Sequence, residues 1–297
     1  MQPSPATARR GVALVTGAAR RLGRAIALAL ARDGWDIGVH YATSEAAAHA
    51  TADEIRALGR QAVCLKAQLE DQQAASGLVR QLSTQLGPVR GLVNNASRFI
   101  HDDIDSIDAA SLTAHLLPNL IAPLLLSQSL FRALREANTA GGDTLGENTV
   151  GGDTGGGDAA GGSSTGGARM EGVIVNLLDQ KLYNLNPDFL SYTVAKAGLA
   201  AATTMLAQAL APQVRVIGVA PGLTFPSYLQ DDQAFEQAQA RFSPLGRSST
   251  PEDVAAAVVF AMQNRSLTGT VIQVDGGQHL QRLPRDASLM PAGERVP

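Results

Sequence analysis

The fold is decided by the run Gly-Val-Ile-Val-Asn-Leu-Leu (172–178) and the run Tyr-Thr-Val-Ala-Lys-Ala-Gly-Leu-Ala-Ala-Ala (192–202), which are joined by one polar connection. The first run is short and apolar throughout, which is typical of a strand buried in a parallel sheet. The second run is rich in alanine and predicts a helix. A strand followed by a helix is the repeating unit of an open α/β sheet, so this stretch predicts that fold class.

Three chemically distinctive side chains lie at the end of that strand and on that helix. Tyr192 and Lys196 are four residues apart, which places them on one helix face, one turn apart. An ammonium group at that distance is expected to lower the pKa of the Tyr192 phenol from its usual value of about 10. Asp179 follows the strand, at the sheet edge where α/β proteins bind ligands. The pair alone is also compatible with a solvated helix surface.

Composition limits the class of protein. The 297 residues are 45% hydrophobic and 17% charged, which indicates a soluble globular chain with an ample core. The net charge of −3 gives no reason to expect nucleic acid or an anionic membrane as a partner. We find no uninterrupted apolar run of about 18 residues, so we predict no transmembrane helix. Residues 1–10 lack the apolar core of a signal peptide, and we expect a cytoplasmic protein. Cys64 is the only cysteine, which excludes an internal disulfide, and we predict no metal site.

A glycine-bearing turn follows the first strand. The strand is predicted at 11–16, and Thr-Gly-Ala-Ala-Arg-Arg-Leu-Gly (16–23) then begins a helix. Free backbone N–H groups at such a helix start bind phosphate. The motif lacks the full Gly-x-Gly-x-x-Gly pattern because Arg21 stands in place of the middle glycine. The order of strand, turn and helix nevertheless predicts a dinucleotide site.

The second strand, at 35–40, bears on the choice of cofactor. Proteins that prefer NAD usually place an acid near the end of this strand, but none occurs here before Glu45. Arg20 and Arg21 stand in the turn instead, and guanidinium groups pair well with a 2′-phosphate. This balance favours NADPH. The other interpretation is that both arginines are solvated loop residues.

The same alternation continues along the chain. Further strands are predicted at 61–66, 90–94, 214–219 and 267–275, with helices at 71–86, 111–134 and after Pro251. Seven strands and six main helices predict a single doubly wound Rossmann-type domain at 11–282, with a parallel sheet and helices on both faces. We predict a flexible N-terminus at 1–10, a disordered Gly-rich insert at 139–169 and a C-terminal tail at 283–297. Residues 224–249 form either a lid or a plain connector.

Asparagines occupy two notable positions. Asn94 and Asn95 end the fourth strand, where side-chain amides can hold a turn and a ligand. Asn119 lies among apolar residues of a long helix, where it is either a satisfied core residue or an anchor for a water molecule.

These motifs together resemble the short-chain dehydrogenase/reductase family. The matching residues are Thr16-Gly17…Gly23, Asn94-Asn95-Ala96, Asn119, Tyr192-x-x-x-Lys196 and Pro221-Gly222. The resemblance extends from Gly11 to about Arg282, apart from the insert. The chain is most similar to the pteridine reductase branch, which includes the bacterial dihydromonapterin reductases. The features behind this narrower resemblance are Arg21, Asp179 in place of the usual serine, Ser97 and Phe99 in Asn-Ala-Ser-Arg-Phe, and the closing Val-Asp-Gly-Gly-Gln-His-Leu.

The resemblance implies a set of site residues. The implied catalytic residues are Asp179, Tyr192, Lys196 and Asn119. The implied cofactor-binding residues are Gly17, Arg20, Arg21, Leu22, Gly23, His40, Tyr41, Ser44, Gln68, Leu69, Asn95, Ala96, Ser97, Tyr192, Lys196, Pro221 and Gly222. The implied substrate-binding residues are Arg21, Ser97, Phe99, Asp179, Tyr192 and Leu223. Two positions depart from the branch: Thr43 stands where many members have an arginine, and Gln68 where the family usually has an aspartate. NADPH selectivity is therefore expected to rest on Arg20, His40 and Ser44.

The implied activity is the NADPH-dependent reduction of a dihydropterin, resembling dihydromonapterin or dihydrobiopterin, or of dihydrofolate. Hydride would come from the nicotinamide and a proton through Tyr192, and the family commonly forms homotetramers. An alternative within the family is a carbonyl or 3-oxoacyl reductase, for which a serine would be expected in place of Asp179. A third hypothesis is a cofactor-binding regulator without turnover, which the presence of both Tyr192 and Lys196 disfavours.

Overall fold

A parallel sheet forms the centre of the computed structural model, which describes residues 8–142 and 171–290. Over these two ranges the sheet has seven strands in the order β3-β2-β1-β4-β5-β6-β7. The strands are β1 (Gly11–Val15), β2 (Trp35–Tyr41), β3 (Ala62–Lys66), β4 (Val89–Asn94), β5 (Gly172–Leu177), β6 (Val214–Pro221) and β7 (Val271–Val274). Every neighbouring pair is parallel, which confirms the predicted fold class.

Helices cover both faces of the sheet, as expected for right-handed crossovers between parallel strands. The α-helices are α1 (Arg21–Arg32), α2 (Glu45–Ala57), α3 (Gln72–Leu86), α4 (Ala109–Leu116), α5 (Ala122–Gly142), α6 (Leu190–Leu210), α7 (Asp232–Phe242) and α8 (Pro251–Gln263). A π-helical turn, Leu117–Ile121, joins α4 to α5, and short 3₁₀ turns lie at Gln180–Tyr183, Gln278–Leu280 and Ala287–Leu289.

Two apolar layers hold these helices to the sheet. Ile26 and Leu30 of α1 pack with Val258 of α8 on one face. Leu78 of α3 and Leu126 of α5 pack on the other face. All five side chains are fully buried, and each contributes about 1.5–3 kcal/mol by leaving water. The central strand β1 is buried on both sides, which explains its unbroken apolar sequence.

Helix starts agree only partly with the sequence. Thr250 caps α8 and forms a reciprocal capping box with Asp253, as predicted for its cap. The cap of α4 is Asp108, and Ser111, the predicted cap, is instead its partner in a capping box. Ser44 precedes α2, but its hydroxyl makes no capping hydrogen bond.

The stretch Ala109–Thr139 is long and apolar enough to cross a membrane by length and composition alone. Leu126, Leu130 and Leu134 are nevertheless buried against the sheet, as in the core helix of a globular domain. The helix also extends beyond its predicted end at residue 134, to Gly142. Residues 143–169 of the predicted insert lie outside the described residues.

The segment Leu283–Met290 belongs to the domain, although the sequence placed it in a C-terminal tail. Leu283 and Ala287 are buried and pack with Phe242 of α7. Arg285 donates two hydrogen bonds to the buried Asp188, at 2.8 and 2.9 Å. The domain therefore extends past the boundary expected at residue 282 as far as residue 290, because these residues are held by apolar packing and a long-range ion pair.

Candidate active site

A cavity of about 450 Å³ lies at the carboxyl ends of β4, β5 and β6. In open α/β sheets this edge is where ligands bind. Many of the implied site residues line it together: Arg21, Leu22, Asn95, Ser97, Phe99, Asp179, Tyr192, Lys196, Pro221, Gly222 and Leu223. The prediction that these residues share one site is consistent with their positions.

The turn after β1 depends on two glycines, Gly17 and Gly23, that let its backbone segments lie close together. Gly17 has a left-handed φ of +64°, which favours glycine. A Cβ added at Gly23 would collide with the carbonyl of Gly17. Asn95 donates its side-chain amide to the Thr16 carbonyl at 2.8 Å, and the Thr16 hydroxyl accepts the Asn95 N–H at 2.9 Å. Asn95 therefore ties the end of β4 to this turn, the predicted phosphate site.

His40, at the end of β2, supports that turn through a hydrogen bond to Gly17. Its Nδ1 accepts a hydrogen bond from the Gly17 N–H at 3.0 Å, so Nε2 carries the proton and donates to the Ala67 carbonyl at 3.2 Å. Burial lowers the pKa of His40 to about 4, against the smaller opposing effect of the Ala67 bond. A neutral ring with both nitrogens occupied offers no cation to a phosphate. The prediction that His40 contributes to NADPH selectivity is therefore wrong, and the Tyr41 side chain is likewise buried in the core.

Other implied cofactor residues differ in exposure. Arg20 is exposed just before α1, and the Ser44 hydroxyl lacks the cap bond that would occupy it. Gln68 is exposed, whereas Leu69 is a core residue with 6% exposure. Of the three side chains expected to select NADPH, Arg20 and Ser44 stay predictions.

Arg21 links the turn to the segment after β6. Its guanidinium lies 4.7 Å from the Phe225 ring centre and donates to the Pro226 carbonyl at 3.2 Å. The residue has a φ of 49°, in the left-handed region that residues other than glycine seldom occupy. Residues 224–228, part of the segment 224–249 that the sequence left as a lid or a connector, thus form a wall of the cavity.

Tyr192 and Asp179 make a short, buried polar contact in the cavity. The Tyr192 hydroxyl donates to Asp179 Oδ2 at 2.6 Å. Burial raises the pKa of Tyr192 well above its usual value, and the Asp179 carboxylate raises it further. Burial also raises the pKa of Asp179 itself. The prediction of a lowered Tyr192 pKa is wrong, because desolvation and the neighbouring acid outweigh the distant ammonium.

Lys196 lies near the Tyr192 ring but hydrogen-bonds to the backbone of β5. Its Nζ is 5.8 Å from the Tyr192 ring centre and donates to the Leu177 carbonyl at 2.7 Å. Burial lowers the pKa of Lys196 to about 8, partly countered by Asp179. The ammonium therefore holds the end of β5 against α6, and it does not hydrogen-bond to the phenol.

Asn119 supports the site without facing it. In the π-helical turn, its Oδ1 accepts the Arg98 N–H at 2.8 Å and its Nδ2 donates to the Arg98 carbonyl at 2.9 Å. With both ends of the amide engaged and only 1% exposure, Asn119 positions the loop after β4. Its predicted catalytic role is not supported by this geometry, and the satisfied-core interpretation holds.

Phe99 presents an aromatic surface beside Tyr192. Its ring stacks on Phe189 at 4.1 Å between centroids, and it meets the Tyr192 ring edge-on at 4.7 Å. Ser97 is exposed nearby. Elsewhere in the cavity lining, the Leu223 N–H donates to Gln278 Oε1 at 3.2 Å. An added Cβ at Gly222 would collide with Ser248, so glycine is required for β6 to end there.

Sequence inspection missed a buried cation in this cavity. Lys181 is 3% exposed and donates to Asp286 at 2.9 Å and to Asn186. A lysine two residues after Asp179 carries no local signal of burial. Its partner Asp286 belongs to the segment that the sequence assigned to the tail.

Comparison with known proteins identifies the family. A family model described as short chain dehydrogenase matches residues 11–143, and one described as Enoyl-(Acyl carrier protein) reductase matches residues 165–279. An uncharacterized oxidoreductase of Methylorubrum extorquens is 31% identical, over 90% of this chain and 96% of its own length. A 3-oxoacyl-[acyl-carrier-protein] reductase, FabG, of Staphylococcus aureus is 28% identical over 90% of this chain and 98% of its own.

Two solved structures are similar in fold and sequence. FolM alternative dihydrofolate reductase 1 from Brucella canis, complexed with NADP, has a TM-score of 0.78 and 35% identity, covering 95% of this chain and 99% of its own. The same protein from Brucella suis, in complex with NADP, has a TM-score of 0.78 and 36% identity, covering 93% and 98%. The protein is therefore a member of the short-chain dehydrogenase/reductase family, and the two FolM reductases support its predicted resemblance to the pteridine- and folate-reducing branch.

Proposed function

We propose that the protein is an NADPH-dependent reductase of dihydropterins. The observation that supports this most directly is the hydrogen bond of 2.6 Å from Tyr192 to Asp179, with the Phe99 ring beside it. An ordinary carbonyl reductase of the family has a serine at the aspartate position. An acid there suits a substrate that presents N–H groups and gains a proton on a ring nitrogen.

The proposed proton path follows from the protonation states of Asp179 and Tyr192. The raised pKa of Asp179 extends its protonated form to higher pH than is usual for an aspartate, and the raised pKa of Tyr192 keeps the phenol neutral. A protonated Asp179 can give its proton to the Tyr192 oxygen as Tyr192 gives its own to the substrate nitrogen. The bound NADPH supplies the hydride. Asp179 then recovers a proton from the cavity side, because it lines the cavity.

The shape of the cavity suits a flat, nitrogen-rich ring. Phe99 offers an aromatic surface, which favours stacked or edge-on contact with another ring system. Arg21 and Leu223 line the same cavity, as the resemblance implies for substrate contacts. A volume of about 450 Å³ is within the range of small-molecule sites.

The cofactor of this function is NADPH, and Arg20 is expected to read its 2′-phosphate. We expect Arg20→Ala to reduce the preference of kcat/KM for NADPH over NADH by about tenfold to a hundredfold, since a charge-assisted contact contributes about 1.5–3 kcal/mol. Arg24→Ala is the matched control, because Arg24 is also on the exposed face of α1 but pairs with Glu54. Equal efficiency of the parent with both cofactors would contradict this assignment, as would an unchanged preference in Arg20→Ala.

The rate should fall as the pH rises. Asp179 must be protonated to supply the relay, and Lys196 loses its charge above a pKa of about 8. In kcat/KM measured from pH 5 to 9.5, loss of the Asp179 proton should give a decline of about tenfold per pH unit, and loss of the Lys196 charge should steepen that decline above its pKa of about 8. A rate that increases steadily between pH 6 and pH 9 would exclude Asp179 as the proton source.

A carbonyl or 3-oxoacyl reductase is the second candidate, favoured by the similarity to the FabG reductase. One assay separates the two: oxidation of NADPH with dihydromonapterin, dihydrobiopterin, dihydrofolate and a 3-oxoacyl thioester in parallel. Our proposal requires a dihydropterin to have the highest kcat/KM. The homotetramer stays a prediction.

A further inference from the structure

The helix that carries Tyr192 has no cap in its own sequence. Phe189 occupies the N-cap position of α6, and its apolar ring accepts no hydrogen bond. Its backbone is left-handed, with φ 55° and ψ 49°, a strained conformation for a bulky residue. The ring is fully buried against Phe99 and His101, which holds this conformation in place. The free N–H groups of the first turn therefore need acceptors from elsewhere.

Asp102, from the loop after β4, supplies those acceptors. Its Oδ1 accepts the Ser191 N–H at 3.0 Å, and its backbone carbonyl accepts the Leu190 N–H at 3.2 Å. The residue is 4% exposed, and its Oδ2 has no hydrogen-bond partner among the described residues. A carboxylate in this position also complements the positive end of the α6 dipole. Asp102 thus caps α6 from 89 residues away in the chain.

The same loop carries the aromatic surface of the cavity. Phe99 lies three residues before Asp102 and contacts the Tyr192 ring. The loop is fixed at several points along its length: Arg98 to Asn119, Ile100 to His115, and His101 to the Tyr228 hydroxyl. Asp102 is the point at which this loop is fastened to the backbone of the catalytic helix.

We propose that Asp102 is a positioning residue that aligns Tyr192 and Phe99. Ser191, which it holds, directly precedes Tyr192, so a shift of the first turn moves the phenol relative to Asp179. A displacement of about 1 Å at a reacting group can reduce the rate by about a hundredfold. Asp102 touches neither the substrate nor the cofactor in this role. The activity readout rests on the proposed function.

We expect Asp102→Ala to lower kcat for the best dihydropterin about tenfold to a hundredfold, with the Kd of NADPH unchanged. Asp102→Asn retains a carbonyl oxygen of the same reach and should recover most of the lost kcat. The matched control is Asp108→Ala, which removes the exposed carboxylate cap of α4. The melting temperature of the control should fall about as much as that of Asp102→Ala, and its kcat should stay near that of the parent.

Hydrogen exchange supplies a readout that does not depend on turnover. The amide of Ser191 should lose protection in folded Asp102→Ala and regain it in Asp102→Asn. If the parent reduces no dihydropterin, the proposed function fails while the exchange result still decides the role of Asp102. Parental kcat or unchanged protection in Asp102→Ala would overturn the proposal, as would an equal loss of kcat in Asp108→Ala. Should Asp102→Ala not fold, Asp102→Glu replaces it, and a parental kcat in folded Asp102→Glu would also overturn the proposal.

Discussion

Replacing Asp179 by serine is expected to reduce dihydropterin turnover by about 10²–10⁴, the range typical of a positioned acid–base group. The wild-type carboxyl has a raised pKa and lies 2.6 Å from the Tyr192 hydroxyl, so it can both store and pass on a proton. A serine hydroxyl at this position has no titratable proton in the same pH range. A neutral hydroxyl instead suits a ketone, whose oxygen gains negative charge during reduction.

The measurement is kcat for a dihydropterin and for a 3-oxoacyl thioester in the parent and in Asp179→Ser. The fold and the Kd of NADPH should remain close to those of the parent, because a serine can still cap the 3₁₀ turn through the Lys181 N–H. Tyr192→Phe is the parallel control, and it should impair every substrate since the phenol is the final proton donor in the proposed mechanism. Equal dihydropterin turnover in Asp179→Ser and the parent would remove the main support for the pteridine assignment.

Replacing Gly23 by alanine is expected to disrupt the phosphate-binding turn. The added Cβ would collide with the backbone carbonyl of Gly17 and lie 2.6 Å from the Asn95 side-chain amide. Backbone cannot move aside as a flexible side chain can, so we expect a loss of about 3 kcal/mol in the free energy of unfolding. Asn95 also closes the turn from β4, so its displacement should weaken NADPH binding by at least about tenfold.

Gly77→Ala is the matched control for that substitution. Gly77 lies within α3, where the added Cβ would meet only the flexible end of Gln81 at 3.6 Å. Alanine is favoured over glycine in a helix by about 0.5–1 kcal/mol, so the control should be as stable as the parent or slightly more stable. The two variants are compared by chemical denaturation and by titration with NADPH. A Gly23→Ala protein that equals the parent in both measurements would show that the turn tolerates a side chain.

The Rossmann-type architecture was accessible from the sequence because its signals are local. Strands such as β1 have a continuous apolar run, and helix starts such as that of α8 have their own proline and capping residue. The grouping of Asp179 with Tyr192 was also accessible, because the spacing of a strand end and the following helix limits where both can lie. Local signals still misplace some helix starts by a few residues: Ser111 was predicted to cap α4, but the cap is Asp108.

The sequence by itself thus determined the order of strands and helices, the turn at residues 16–23 and the identity of the acid and the phenol. The tertiary structure alone decided their protonation and their supports. It showed that burial raises the pKa of Tyr192, that a neutral His40 hydrogen-bonds to the turn at Gly17, and that Lys181 pairs with Asp286. The physical reason is that desolvation and hydrogen-bond partnership depend on groups that are distant in the chain. Asp102 caps α6 from 89 residues away, and no local sequence pattern predicts that role.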